Sequence, residues 1–186
     1  MANRNKGIHT YSVQEATNVL LPRLVKVTGT MVADDNADDD VCFNWVEIAN
    51  ASLTVGKPIK LVSAVIYDPG VSLGNIELYF ARGSGDSGTA PTTVQNLDDG
   101  AAGSVVADIT AAEATAIVVC GSVLVSLDDA AGLLTCGVAT ASNIGLVMAP
   151  AANSTSLYVG GMWRSNPTDN SSSGNTDIDI FLGFEG

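Results

Sequence analysis

The chain has 186 residues, a formal net charge of −12 and a pI near 4.1, with one histidine (His9), three cysteines and eight lysines or arginines. Nucleophilic and general acid–base sites draw on His, Cys, Lys and Arg beside carboxylates, so this composition suits a protein that builds and argues against an enzyme. Phosphate affinity rests on clustered Lys and Arg, which argues against direct binding of nucleic acid, and the same repulsion argues against anionic membranes.

Residues 1–22 lack core-forming periodicity and read as an N-terminal arm; residues 23–186 read as one domain. Over residues 1–26 the basic Arg4, Lys6, Arg23 and Lys26 stand against Glu15 alone, a net +3, and the rest of the chain carries −15. A mildly basic arm on a strongly acidic body fits docking on a neighbour. Its candidate partner-binding residues are Arg4, Lys6, Ile8, Tyr11, Val13, Leu20 and Leu21. No apolar core of a signal peptide follows the basic start, because Val19-Leu20-Leu21 is short and Pro22 closes it. Synthesis in a reducing cytoplasm is expected.

Strand-like patterns then follow one another. Leu24–Ala33 alternates, the acidic run Asp34–Asp40 reads as a loop, and Val41–Ala49 returns to strand residues. Lys57–Tyr67 is a strong strand ended by Asp68-Pro69-Gly70, where Pro presets φ and Gly admits φ > 0. Asn75–Arg82 alternates, and 83–103 is a long polar, glycine-rich loop. Thr110-Ala111-Ala112-Glu113 fits a capping box and predicts a short helix near 110–116. Ile117–Leu127 is a strand with Gly121 as a bulge or bend. Leu133–Val138, Asn143–Ala149, Ser156–Arg164 and Thr176–Phe184 complete the series. Many short strands, little helix and frequent turns predict an all-β fold: an antiparallel β-sandwich, jelly-roll-like, with one short helix and the arm.

Several local patterns imitate functional sites. Gly85-Asp86-Ser87-Gly88 copies the surroundings of a serine-protease nucleophile, but that chemistry needs a histidine poised beside the serine, and His9 lies in the arm. Asp34, Asn36 and Asp38 open like a calcium loop, yet Asp39 and Trp45 stand where that loop requires Gly and Glu. Cys42, Cys120 and Cys136 show no metal-ligand spacing, so no metal site, disulfide framework or cofactor is expected. Asp98-Asp99 and Asp128-Asp129 are adjacent pairs, which on a strand point to opposite faces. Asn50, Asn153 and Asn170 head glycosylation-like triplets that read as polar loops. Trp45, Trp163, Tyr79 and Tyr158 suit a core or an interface better than a sugar platform.

The ordered series Glu47-Ile48-Ala49-Asn50-Ala51, Ile59–Asp68, Glu77-Leu78-Tyr79-Phe80, Asn143-Ile144-Gly145-Leu146-Val147, Thr155-Ser156-Leu157-Tyr158-Val159 and Asp179–Phe184 resembles small virion proteins of tailed bacteriophages, and capsid decoration (cement) proteins most of all. The resemblance spans roughly residues 41–184 and leaves the arm and the Asp34–Asp40 run unmatched. It implies a non-enzymatic virion protein on the outer capsid surface that bridges major capsid protein subunits and stabilises the shell, as a homotrimer. The other class open to a jelly roll is a carbohydrate- or receptor-binding module of a head or tail fibre.

Overall fold

The structure is a computed structural model that describes residues 22–31, 41–68, 74–84, 117–126, 137–164 and 177–186. The arm residues 1–21, with every candidate partner-binding residue, lie outside the described residues, as do the acidic run Asp34–Asp40, the short helix expected near 110–116 and Cys136.

Eight strands are present: β1 (Arg23–Thr30), β2 (Val41–Ile48), β3 (Ile59–Asp68), β4 (Ile76–Ser84), β5 (Ile117–Val125), β6 (Gly137–Met148), β7 (Leu157–Trp163) and β8 (Asp177–Glu185). They form two four-stranded sheets, ordered β1-β8-β3-β6 and β2-β7-β4-β5. All pairings are antiparallel: β1 with β8, β2 with β7, β3 with β6 and β4 with β5, joined within the sheets by β3·β8 and β4·β7. First pairs with last, second with last but one, and so inward. That is a long hairpin rolled over two facing sheets, the double Greek key of a jelly roll. The expected all-β antiparallel sandwich is therefore present.

Side chains on a strand alternate between faces, and the sheets bury one face each. Phe43, Ile48, Leu61, Ile66, Ile76, Leu78, Phe80, Leu157, Val159, Trp163, Ile178, Ile180, Leu182 and Phe184 fill the space between them. Small residues (Ala51, Ala64, Ala139) complete the layer, in keeping with the Ala- and Val-rich composition. Strand β7 differs from the others because all seven of its residues are buried. Leu157, Val159 and Trp163 belong to the core, while Tyr158 and Met162 alternate with them and are buried on the other face.

Three of the four edge strands are irregular. β2 has two register shifts against β7, so Cys42 and Phe43 both turn into the core. β5 has a bulge beside Gly121 (φ 155°), as the sequence suggests. β6 is one strand where alternation predicts two, Leu133–Val138 and Asn143–Ala149. Left-handed Asn143 (φ 56°) and Gly145 (φ 72°) absorb extra residues opposite Val62, and pairing with β3 continues on both sides. Residues 143–145 are thus a bulge inside a strand, and the expected break at 139–142 is paired with β3. β1 alone keeps an unbroken register, from Arg23↔Phe184 to Thr30↔Asp177.

Candidate interaction surfaces

Three surfaces gather the principal polar contacts of the described residues, and exposed Val119, Leu124, Val138 and Val147 lie outside them on β5 and β6.

The outer face of the β1/β8 ribbon carries the first. Alternation sends Leu24, Lys26, Thr28 and Thr30 outward, and the register places Asp177 and Asp179 beside them. Lys26 Nζ pairs with Asp179 Oδ2 at 2.7 Å. Thr28 Oγ1 donates to Asp179 Oδ1 at 3.0 Å, and Thr30 Oγ1 donates to Asp177 Oδ1 at 2.8 Å. The Lys26 ammonium also lies 5.8 Å from the Phe181 ring centre, within cation–π range. The bond from Lys26, helped by Thr28, holds the Asp179 carboxyl below its ordinary value against a weaker desolvation. Farther along the sheet Lys60 Nζ meets Glu185 Oε2 at 3.4 Å.

The second surface is a polar clamp on the outer face of the other sheet. Arg164 directly follows β7, and its N–H donates to Asn75 O at 2.7 Å, fixing it beside the start of β4. From there its Nε donates to Glu77 Oε2 and a terminal nitrogen donates to Tyr79 Oη, both at 2.6 Å. Ser122 of β5 stands opposite Tyr79 and also bonds Glu77. Burial works to raise the Glu77 carboxyl, but the bonds from Ser122, Arg164 and Tyr79 outweigh it and hold the group below its usual value. Burial, then the Glu77 charge, pushes the Tyr79 phenol up. Desolvation opposes the Arg164 charge, yet Glu77 and Tyr79 together raise its pKa, so it stays cationic. The arrangement braces three strands. It keeps the Glu77 carboxylate paired with Arg164.

The third surface is one end of the sandwich, where the β2–β3 and β6–β7 connections lock together. Ser52 N–H donates to Thr155 O and Gly56 N–H to Ser154 O, each at 2.9 Å. Ser156 Oγ donates to Glu47 Oε1 at 2.6 Å, and the Arg23 guanidinium donates to Ala51 O. Burial lowers the Arg23 pKa. This fixed scaffold holds Leu53 and Val55 exposed, at 71% and 54%.

Of the aromatic residues singled out in the sequence, Trp163 is in the core, Tyr158 is buried, Tyr79 sits in the Arg164 clamp and Trp45 is half-buried. They form no common platform. Among the described residues no group of three or more His, Cys, Asp or Glu side chains could hold a metal ion, and no helix is long and apolar enough to cross a membrane. The Arg164–Glu77–Tyr79 clamp and the Leu53/Val55 end have no signal in the sequence. The clamp joins residues more than eighty positions apart, and Leu53 and Val55 belong to a stretch, 49–55, that alternates apolar and polar residues like a strand yet lies in the connection between β2 and β3.

No protein-family model matches the chain, and no curated protein matches it. Among solved structures it is similar to a chain of the Israeli acute paralysis virus full particle heated to 63 degrees, at 10% identity and a TM-score of 0.36, covering 100% of this chain and 78% of that one. A chain of black queen cell virus aligns at 9% identity and a TM-score of 0.32, over 97% and 73% of the two chains. A chain of the Triatoma virus empty capsid aligns at 9% identity and a TM-score of 0.34, over 100% and 78%.

Proposed function

We propose that this chain is a structural virion protein that decorates a phage capsid from its outer surface. It bridges major capsid subunits as a homotrimer, with residues 1–22 supplying part of the attachment, and it has no catalytic role. The observation that carries this reading is the architecture: an eight-stranded jelly roll whose outer faces are closed by their own ion pairs and hydroxyl–carboxylate bonds. Jelly rolls of this kind build viral shells and lectin modules, and the resemblance of residues 41–184 to cement proteins favours the shell. A protein that binds only the assembled shell stabilises it by mass action. An arm joined to a folded body gains from two linked contacts.

The test is reconstitution. Purified protein is added to capsids of its phage that lack it, and the particles are imaged by cryo-EM. The expected result is density on the outer surface, contacting more than one major capsid subunit, together with a raised temperature of DNA release. Deleting residues 2–20 is expected to leave the jelly roll folded and weaken attachment. Failure to bind any capsid state, combined with binding on a glycan array, would overturn the reading in favour of a receptor-binding module.

A further inference from the structure

We infer that the outer edge of β1, which pairs with no other strand among the described residues, is a strand-addition site for β1 of a second copy of this chain, forming a twofold antiparallel seam. The inference does not rest on the virion reading.

An edge strand offers unpaired N–H and C=O groups to any other strand, and bulges are a common way of blocking such pairing. Here β2, β5 and β6 are irregular, and β1 pairs with β8 without a break over eight residues. Its outward side chains Leu24, Lys26, Thr28 and Thr30 are exposed, and Thr28 and Thr30 lean back onto the Asp179 and Asp177 carboxylates. Among the described residues no strand pairs with the far side of β1.

Charge and alternation select the occupant and its register. The neighbouring strand β8 presents Asp177 and Asp179 beside Thr30 and Thr28, which favours an added strand that brings positive or neutral residues; β1 itself carries Arg23 and Lys26 and no acid. In an antiparallel seam, outward residues must face outward residues, which leaves two well-overlapped registers. One sets Lys26 against Lys26 of the second copy, and directly opposed like charges are destabilising. The other sets Val27 on the twofold axis, Lys26 against Thr28 of the second copy, and Leu24 against its Thr30. In that register Lys26 lies in line with Asp179 of the second copy, about 9–10 Å away at the backbone across one intervening strand. It remains paired with its own Asp179. Each Lys26 is then flanked by two carboxylates, and the two four-stranded sheets join into one of eight strands.

The seam is short, so the dimer is weak and needs protein from low micromolar to near-millimolar concentration. The experiment is sedimentation equilibrium of the full chain, wild type against Thr28→Lys. The substitution sets two pairs of lysines face to face across the seam while leaving the surface of the single copy open. The wild type is expected to show a monomer–dimer equilibrium, and Thr28→Lys to weaken it by about tenfold or more. The double variant Lys26→Thr, Thr28→Lys restores the alternation and is expected to recover the dimer. Circular dichroism confirms that each variant is folded. A wild type that stays monomeric throughout, a dimer or trimer indifferent to Thr28→Lys, or a double variant no better than the single one overturns the seam. A trimer indifferent to Thr28→Lys overturns the seam and supports the homotrimer of the proposed function, whereas a monomer–dimer equilibrium of the free chain supports the seam and confines the homotrimer to the capsid surface; attachment to capsids is read separately, by reconstitution.

Discussion

The ring of Phe43 packs against Gly161, its register partner across the β2–β7 pair. A Cβ on Gly161 would overlap Phe43 Cε1, and on the ring's other side a Cβ on Gly29 of the opposite sheet would come within 2.8 Å of the Cγ and Cδ2 atoms. The ring is held between two glycines, one from each sheet, and neither position has room for a Cβ. Phe43 is fully buried. Gly161→Ala is therefore expected to destabilise the fold by about 1–3 kcal/mol, the usual cost of overpacking a filled core. Urea denaturation measures it. Combined with Phe43→Leu, Gly161→Ala should cost less than the sum of the two single changes, because the shorter side chain frees the space. An additive pair would mean that the ring and the glycine are not in contact.

The Arg164 clamp yields a second prediction. Its fork donates in two directions, to Glu77 and to Tyr79, and a lysine presents a single point charge that cannot reproduce that geometry. Arg164→Lys is expected to lower stability by about 1 kcal/mol, a figure kept small because both charged groups are partly exposed. A double-mutant cycle with Tyr79→Phe should show coupling between the two. Independent effects would disprove the clamp.

Much of this architecture is legible in the alternation of apolar residues. The alternating outward residues of β1, the run at 59–68 and the Gly121 bulge follow from side-chain period and turn chemistry alone. The β6 strand escapes such reading because Ala139, Thr140, Ala141 and Ser142 are small residues between two apolar stretches, and only their pairing with β3, resumed beyond the bulge at Leu146, shows a single strand. The Phe43–Gly161 contact and the Arg164 clamp are cross-strand events set by register, which one-dimensional patterning does not encode. Sheet order was equally hidden, since a set of eight strands is compatible with many sandwiches until the pairing of first with last is seen.

Acid should weaken the fold through Asp179 and Glu77. Both carboxyls are held below their ordinary values in the folded state, Asp179 chiefly by Lys26 and Glu77 by Ser122, Arg164 and Tyr79 against an opposing desolvation. A depressed folded pKa means that the unfolded chain takes up the proton first. The stabilisation is fully present above the unfolded carboxylate range and is lost as pH falls through the folded values. Stability measured by denaturant titration should therefore be flat from neutral pH down to about 5 and decline below about 4. Asp179→Asn should reduce the slope of that decline. An unchanged slope in this variant would show that the Lys26–Asp179 pair contributes nothing to the acid response.

The Cys42 thiol offers a readout of whether the β2 edge opens on its own. Burial raises its pKa well above the ordinary thiol value, and the nearby Asp68 charge raises it further. Both effects suppress the reactive thiolate. Cys42 is completely buried, on an edge strand distorted by two register shifts. In a variant with Cys120→Ser and Cys136→Ser, the remaining thiol is expected to react with Ellman's reagent at least about a thousandfold more slowly than a free cysteine, because access requires global unfolding. The reaction rate should rise with urea at the same slope as unfolding itself. Fast labelling with no urea dependence would mean that β2 detaches locally from β7, and that Phe43 and Gly161 separate without the rest of the sandwich.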